Sequence, residues 1–295
     1  MIFTRMLSRL ILLLWTASCL ASDPFFLRRQ LSEIEPQPDD LTARAKGARY
    51  KPIFGAGDRD AGRLQAILRC GELTLEAGGA SASVRYPREE QIYYVLEGSG
   101  TLLYGERQAD IRKDDFLYLP PDQAHAVANR GSGLLRVLVL GYRIPEGLDA
   151  PRHAALPLAN AADVGLQVLA SHGPTTQFKL LMGQTTSQRD RLATASEMSS
   201  LFIMDFSPGG TNKPHSHAAE EEIYLLLRGS GDMVAGKTED GQDARYPSRE
   251  GALFYFAPGT RVGYYSGAKE GEEHDLILAA RSRLPQSGKP AAAAR

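Results

Sequence analysis

Cysteine is nearly absent from this chain of 295 residues, Cys19 and Cys70 being the two present. A disulfide scaffold is therefore excluded, and the fold must stand on buried apolar area, which the 43% hydrophobic content can supply for two domains of ordinary size. Net charge is lacking too. With a formal charge of −1 and basic residues scattered along the chain, there is no electrostatic footprint for nucleic acid and no polybasic patch for a membrane surface. A small-molecule partner is left by elimination.

The sustained apolar run lies at the start, where Leu10 to Trp15 follow Arg5 and Arg9 and give way to the small residues Ala17, Ser18, Cys19 and Ala21. That order is the pattern of a secretory signal peptide over residues 1–21, and it predicts a secreted or periplasmic protein. The run is too short to span a bilayer, so no integral membrane segment is expected after processing. Cleavage after Ala21 leaves Cys70 as the sole cysteine, expected in a buried strand. Acylation of Cys19 is the alternative, but Thr16 stands where lipoprotein signals carry leucine. The tail over 285–295, poor in bulky apolar residues, is expected to be disordered.

An internal repeat sets the architecture. Offset by 131 residues, Gly78 to Gly100 align without gaps on Gly209 to Gly231, and ten of the 23 positions are identical, ending in the same Gly-Ser-Gly turn. Each copy reads as short strands rich in Ile, Val, Leu, Tyr and Phe, broken every eight to twelve residues or so by Gly, Pro, Asp and Ser, which is the pattern of an all-β barrel or sandwich. The expected limits are a first domain over 22–145, a linker over 146–177 with His153 and His172 in solvent, and a second domain over 178–284. Glu89 and Glu90, with their counterparts Glu220 and Glu221, are expected to cap their strands in solvent.

The second copy carries the chemistry. His215 and His217 lie two apart, so in a strand they project to one face, and Glu222 opens the next strand within reach of the same point. Two imidazoles and a carboxylate suit a divalent ion, Fe, Mn, Ni or Zn, and leave coordination positions open for water or substrate. Tyr224 and Tyr264 fall two residues after Glu222 and Val262, on the same faces, and are the candidate catalytic acid or base groups. His274, among charged residues, is expected at a solvated strand end.

The run Gly209, five residues, His215, one residue, His217, four residues, Glu222, six residues, Gly229 resembles the first signature of the cupin superfamily. The resemblance implies two tandem cupin domains, that is, jelly-roll β-barrels of six to eight strands. The second signature is degraded: Gly251 and Gly259 are kept, but Ala257, Val262 and Ser266 replace its proline, histidine and asparagine, so the family's fourth ligand is missing. The first copy departs in the opposite way, with Val84, Tyr86 and Gln91 at the ligand positions while His125 and Asn129 keep the second signature. One histidine cannot hold a metal, so the first barrel is expected to be structural.

The superfamily spans dioxygenases, decarboxylases, isomerases, lyases, hydrolases, sugar-binding and storage proteins, so the resemblance implies function only broadly. The leading expectation is a metal-dependent oxygenase, hydrolase or isomerase acting on a small metabolite through the second barrel. The alternative is a non-catalytic periplasmic protein that binds a sugar or a small acid. The layout is similar to ureidoglycine aminohydrolase-type bicupins, although that family is expected to carry other ligands where this chain has its His-x-His pair. Cupins commonly pair through edge strands, which implies a homodimer.

Overall fold

A computed structural model describes residues 25–170 and 172–284. The expected leader over 1–21 and the tail over 285–295 lie outside the described residues. Both copies are built of strands, with short 3-10 turns as their helical elements among the described residues. In the first, the strands Ile67–Ala80, Glu89–Glu97, Asp115–Leu119 and Leu135–Arg143 form the centre of a nine-stranded sheet that curls into a barrel. In the second, Thr176–Gln184, Met198–Phe206, Glu220–Arg228, Ala252–Phe256 and Asp275–Arg283 belong to an eight-stranded sheet. A four-stranded sheet with Thr211–Ser216 and Arg261–Ser266 lies alongside it. The fold is all-β, two tandem jelly-roll barrels.

The shared turns have a physical cause. Gly98 and Gly229 hold φ of 79° and 95°, and a Cβ at either would collide with the Leu134 carbonyl or the Asp275 carboxylate. Two further positions keep their backbone shape after losing glycine. Where the second copy has Gly251 and Gly259 at φ 79° and 80°, the first has Asp114 and Asp122 at 68° and 62°, a left-handed conformation that Asp tolerates better than most residues.

Three apolar cores result. One fills the first barrel around Tyr93, Val95 and Val139, and one fills the second around Phe254, Tyr224 and Ile277. The third lies between the barrels, where Phe54, Cys70, Ile92 and Leu140 meet Leu181, Leu201, Ile223 and Leu278. The central strands are thus covered on both faces, which is why they read as nearly unbroken apolar runs. Cys70 is fully buried in Ile67–Ala80, as expected.

The barrels also exchange strands. Phe26–Gln30, which precedes the first barrel, pairs antiparallel with Ala252–Phe256 of the second, Phe26 opposite Phe256 and Gln30 opposite Ala252. Leu158–Asn160, which precedes the second barrel, pairs with Asp115–Leu119 of the first. The sheets therefore do not follow limits drawn along the chain at 145 and 177. Within the connecting segment His153 is half-buried rather than solvated, its Nε2 lying 3.2 Å from the Thr194 carbonyl and its ring edge-on to Tyr118.

Two of the four glutamates expected in solvent, Glu90 and Glu221, are instead the polar seam between the barrels, while Glu89 is buried beside Arg69 and Glu220 is half-buried beside His217 and Arg281. Glu90 is fully buried and accepts the backbone N–H groups of Ser196, Glu197 and Met198 at 2.8, 3.0 and 2.8 Å. Glu221, its repeat counterpart, accepts those of Gln65, Ala66 and Ile67 at 2.7, 2.8 and 3.0 Å, and the Tyr255 hydroxyl at 2.6 Å. Each carboxylate reaches into the other barrel and closes the turn that leads into that barrel's long strand. Glu90→Ala would leave three donors at the seam unpaired, the Met198 N–H fully buried and those of Ser196 and Glu197 partly so, at about 1–3 kcal/mol each. Chemical denaturation should show at least about 3 kcal/mol lost, with Glu221→Ala behaving alike; unchanged midpoints would mean that the seam does not hold the barrels together.

Candidate metal centre

The second barrel gathers its candidate residues at one end. His215 lies on Thr211–Ser216 opposite Val262, and Glu222 lies on Glu220–Arg228 between Phe256 and Arg281 of the neighbouring strands. His215 and His217 are half-buried and Glu222 is buried. The two imidazoles turn towards each other with their Nε2 atoms 3.0 Å apart, and His217 Nε2 is 3.7 Å from Glu222 Oε2. A cavity of about 40 Å³ opens here, lined also by Tyr224, Asn212, His172, Phe178, Phe202 and Arg281. It has room for a few waters or a ligand of a few atoms.

Protonation follows from the partners. His215 Nδ1 is 2.9 Å from the Lys213 carbonyl, so it carries the proton and Nε2 presents a lone pair. Burial holds His215 below the usual imidazole range, and burial, Arg281 and His215 together bring His217 down to about 4, so both rings are neutral near pH 7. Burial pushes Glu222 up to about 7, with Arg281 pulling the other way. Tyr224 lies well above the ordinary phenol range through burial and the Glu222 charge, and its oxygen is 3.3 Å from Asn212 Nδ2.

The donor set suits a divalent ion. Two nitrogens each about 2.1 Å from one ion and at right angles to each other lie about 3.0 Å apart, the separation of the two Nε2 atoms. Glu222 Oε2 is buried without a hydrogen-bond partner. Among the described residues, however, no group of three or more His, Cys, Asp or Glu side chains is already drawn together around one point. The carboxylate stands back from the imidazoles, its other oxygen 3.9 Å from the Arg281 guanidinium, which also lies 3.5 Å from Glu220.

The remaining candidates fall elsewhere. Tyr264 is buried on the same barrel interior, but its hydroxyl donates to Asp275 at 2.9 Å and does not line the cavity; strand alternation gave it the right face and could not show that its ring runs towards Asp275. His274 is exposed and paired with Asp205, as expected for a solvated strand end. His172, expected in solvent, is instead half-buried at the cavity, and Arg281 and Asn212 are not singled out in the sequence at all. No local spacing marks them, and they reach the cavity only because their strands and the linker meet there.

In the first barrel the equivalent positions are plugged. His125 has both nitrogens engaged, Nδ1 with the Gln123 carbonyl at 2.8 Å and Nε2 with the Tyr93 hydroxyl at 2.9 Å, and burial lowers it to about 4. A buried guanidinium, Arg69, lies 2.6 Å from Asp39 and 3.5 Å from Glu89, under the ring of Tyr86. The ladders show an exchange. Arg69 faces Gly141 where the second barrel pairs Ser200 with Arg281, and Val84 faces His125 where the second pairs His215 with Val262. Each barrel keeps one guanidinium and one imidazole at these ladder pairs, supplied from opposite strands.

Residues 71–141, in the first barrel, match the Cupin_2 family, described as a cupin domain. A segment of 71 residues, 24% of the chain, is 30% identical to the uncharacterized protein MJ1618 of Methanocaldococcus jannaschii, and the match spans 57% of that relative. Among solved structures, the putative glyoxylate-induced protein of Pseudomonas aeruginosa is similar with a TM-score of 0.70 at 14% identity, over 91% of this chain and 92% of that one. The Ylba protein of E. coli gives 0.65 at 14% identity, over 90% and 94%. An oxalate decarboxylase of Lactobacillus farciminis, in a formate complex, gives 0.63 at 10% identity, over 88% and 86%. The chain is a bicupin in fold, with a cupin domain in its first half.

The plugged barrel should tolerate little change. Arg69→Met leaves Asp39 and Glu89 without their buried partner, and breaking such a pair costs about 3–5 kcal/mol. A denaturant melt should show that loss, and a midpoint within error of the parent would mean that the ion pair is dispensable.

Proposed function

We propose that this bicupin is a divalent-metal-dependent enzyme acting on a small carboxylate metabolite in the second barrel. The observation that carries the reading is the close pair of His215 and His217 Nε2 atoms with an unpartnered buried oxygen of Glu222 3.7 Å from the second of them, in a small cavity beside Arg281. His215, His217 and Glu222 hold the ion, Fe, Mn, Ni or Zn, which supplies a Lewis acid for an oxygen of the substrate or of water. Arg281, half-buried at the cavity, orients the substrate carboxylate through its guanidinium. Tyr224, steadied by Asn212, donates a hydrogen bond to the substrate, while Phe178, Phe202 and Met204 keep water from the apolar side. The small volume favours a substrate of few atoms. The formate complex of the similar oxalate decarboxylase is in keeping with a small carboxylate. We also take the chain to be exported, on its N-terminal pattern, and to act as a homodimer.

The test is elemental analysis of protein purified without a chelating tag, beside His217→Ala and Glu222→Gln. One equivalent of metal in the parent and less than about a tenth in His217→Ala is expected, and chelator treatment of the parent should lower its melting temperature, because a ligand bound only to the folded state stabilises it. Equal metal in parent and variants would sink the assignment of these ligands.

A second reading has one observation in its favour: Arg281 places a positive charge beside Glu222 without any ion. On that reading the barrel is a metal-free, non-catalytic binding module for a small acid. Absence of metal from the parent, with a melting shift on adding small carboxylates that Arg281→Ala abolishes, would support it.

A further inference from the structure

Six histidines occur in the chain, and their nitrogens sort them by role. His125 has both ring nitrogens engaged, His153 contacts the Thr194 carbonyl, and His274 pairs with Asp205 in solvent. The other three line one cavity, and the third of these, His172, comes from outside the motif, from the segment that leads into Thr176–Gln184.

Its orientation is set by neighbours. Asn212 Nδ2 lies 3.3 Å from the Tyr224 hydroxyl and 3.5 Å from Met204 Sδ, so the amide presents its oxygen in the other direction. That oxygen is 2.8 Å from His172 Nδ1, which therefore donates and leaves Nε2 with a lone pair. The arrangement repeats that of His215, whose Nδ1 donates to the Lys213 carbonyl. Fixing one ring nitrogen through a backbone or side-chain oxygen is how proteins orient metal-binding imidazoles.

The spacing agrees. Imidazoles sharing one ion place their ring centres about 4.6 Å apart at a right angle and about 5.6 Å apart at 120°. The His215 and His217 rings are 4.8 Å apart and those of His172 and His215 are 5.6 Å apart. Phe178 packs against His172 with ring centres 4.8 Å apart, which restrains the ring where it stands.

We infer that His172 is a fourth protein ligand to the ion of the second barrel, supplied by the inter-barrel segment rather than by a barrel strand. The inference rests on the metal reading above and adds a consequence to it: the position of the linker and the affinity of the site are coupled, because the linker carries a ligand.

Zinc titration calorimetry and the visible absorption of the cobalt-substituted protein test it together, on the full chain and on His172→Ala and Asn212→Ala. The parent should bind one equivalent. His172→Ala should keep that stoichiometry with an affinity weaker by about 10- to 100-fold and a changed cobalt spectrum, and Asn212→Ala, which frees the ring but leaves it in place, should weaken it less. Far-ultraviolet circular dichroism and a thermal melt establish that the variants fold. A parent that binds one equivalent with His172→Ala unchanged in affinity and spectrum overturns this inference alone; a parent that binds no metal overturns the metal reading and this inference with it.

Discussion

A carboxylate removed from water must find donors, and in this protein two of them find donors across the boundary between the barrels. Glu90 and Glu221 each accept three backbone N–H groups of the opposite barrel, at the turns that enter its long strands Met198–Phe206 and Ile67–Ala80. The N–H groups of Met198, Ala66 and Ile67 would otherwise be buried without partners, since an apolar core fills the space between the sheets. The seam thereby fixes the register of one barrel against the other. Glu222, next in sequence to Glu221, inherits its position from that seam, as does Arg281, which lies opposite it in the ladder.

Duplication explains why the seam is reciprocal, and divergence explains why the two interiors are not alike. At the ladder pair of Ser200 with Arg281, the first barrel has Arg69 with Gly141; at His215 with Val262, it has Val84 with His125. Gly141 has no side chain because Glu89 and Gln91 fill that space. The guanidinium entering from the other strand meets Asp39 and Glu89, and the interior closes on an ion pair. In the second barrel Arg281 leaves room beside it, and three imidazoles face the gap. The same inventory of groups makes a plug in one barrel and an open site in the other.

Much of this could be read along the chain. The repeat, the glycine turns, the burial of Cys70 and the placement of His215, His217 and Glu222 at one end of the second barrel all follow from rules that act over a few residues: strand alternation, turn chemistry and duplication. Glu90 and Glu221 escaped because a run such as Glu220, Glu221 and Glu222 resembles a solvated strand end, and charge alone does not reveal that both faces of a strand are covered. Their identity in both copies was the available signal. Tyr264 was placed on the correct face, but a face does not specify which neighbour a ring reaches, and Asp275 lies at the end of another strand.

The sequence by itself determined the class of fold and the near half of the site, because both depend on short-range periodicity, which each copy carries in full. The tertiary structure alone decided that strands are exchanged between barrels, that two glutamates hold them together, that Arg281 and His172 join the cavity, and that the first barrel is sealed. Those outcomes depend on residues far apart in the chain, such as Phe26 with Phe256, Gln65 with Glu221 and Glu222 with Arg281, whose meeting is fixed by sheet register, and register is a property of the assembled barrels that no local stretch of sequence contains.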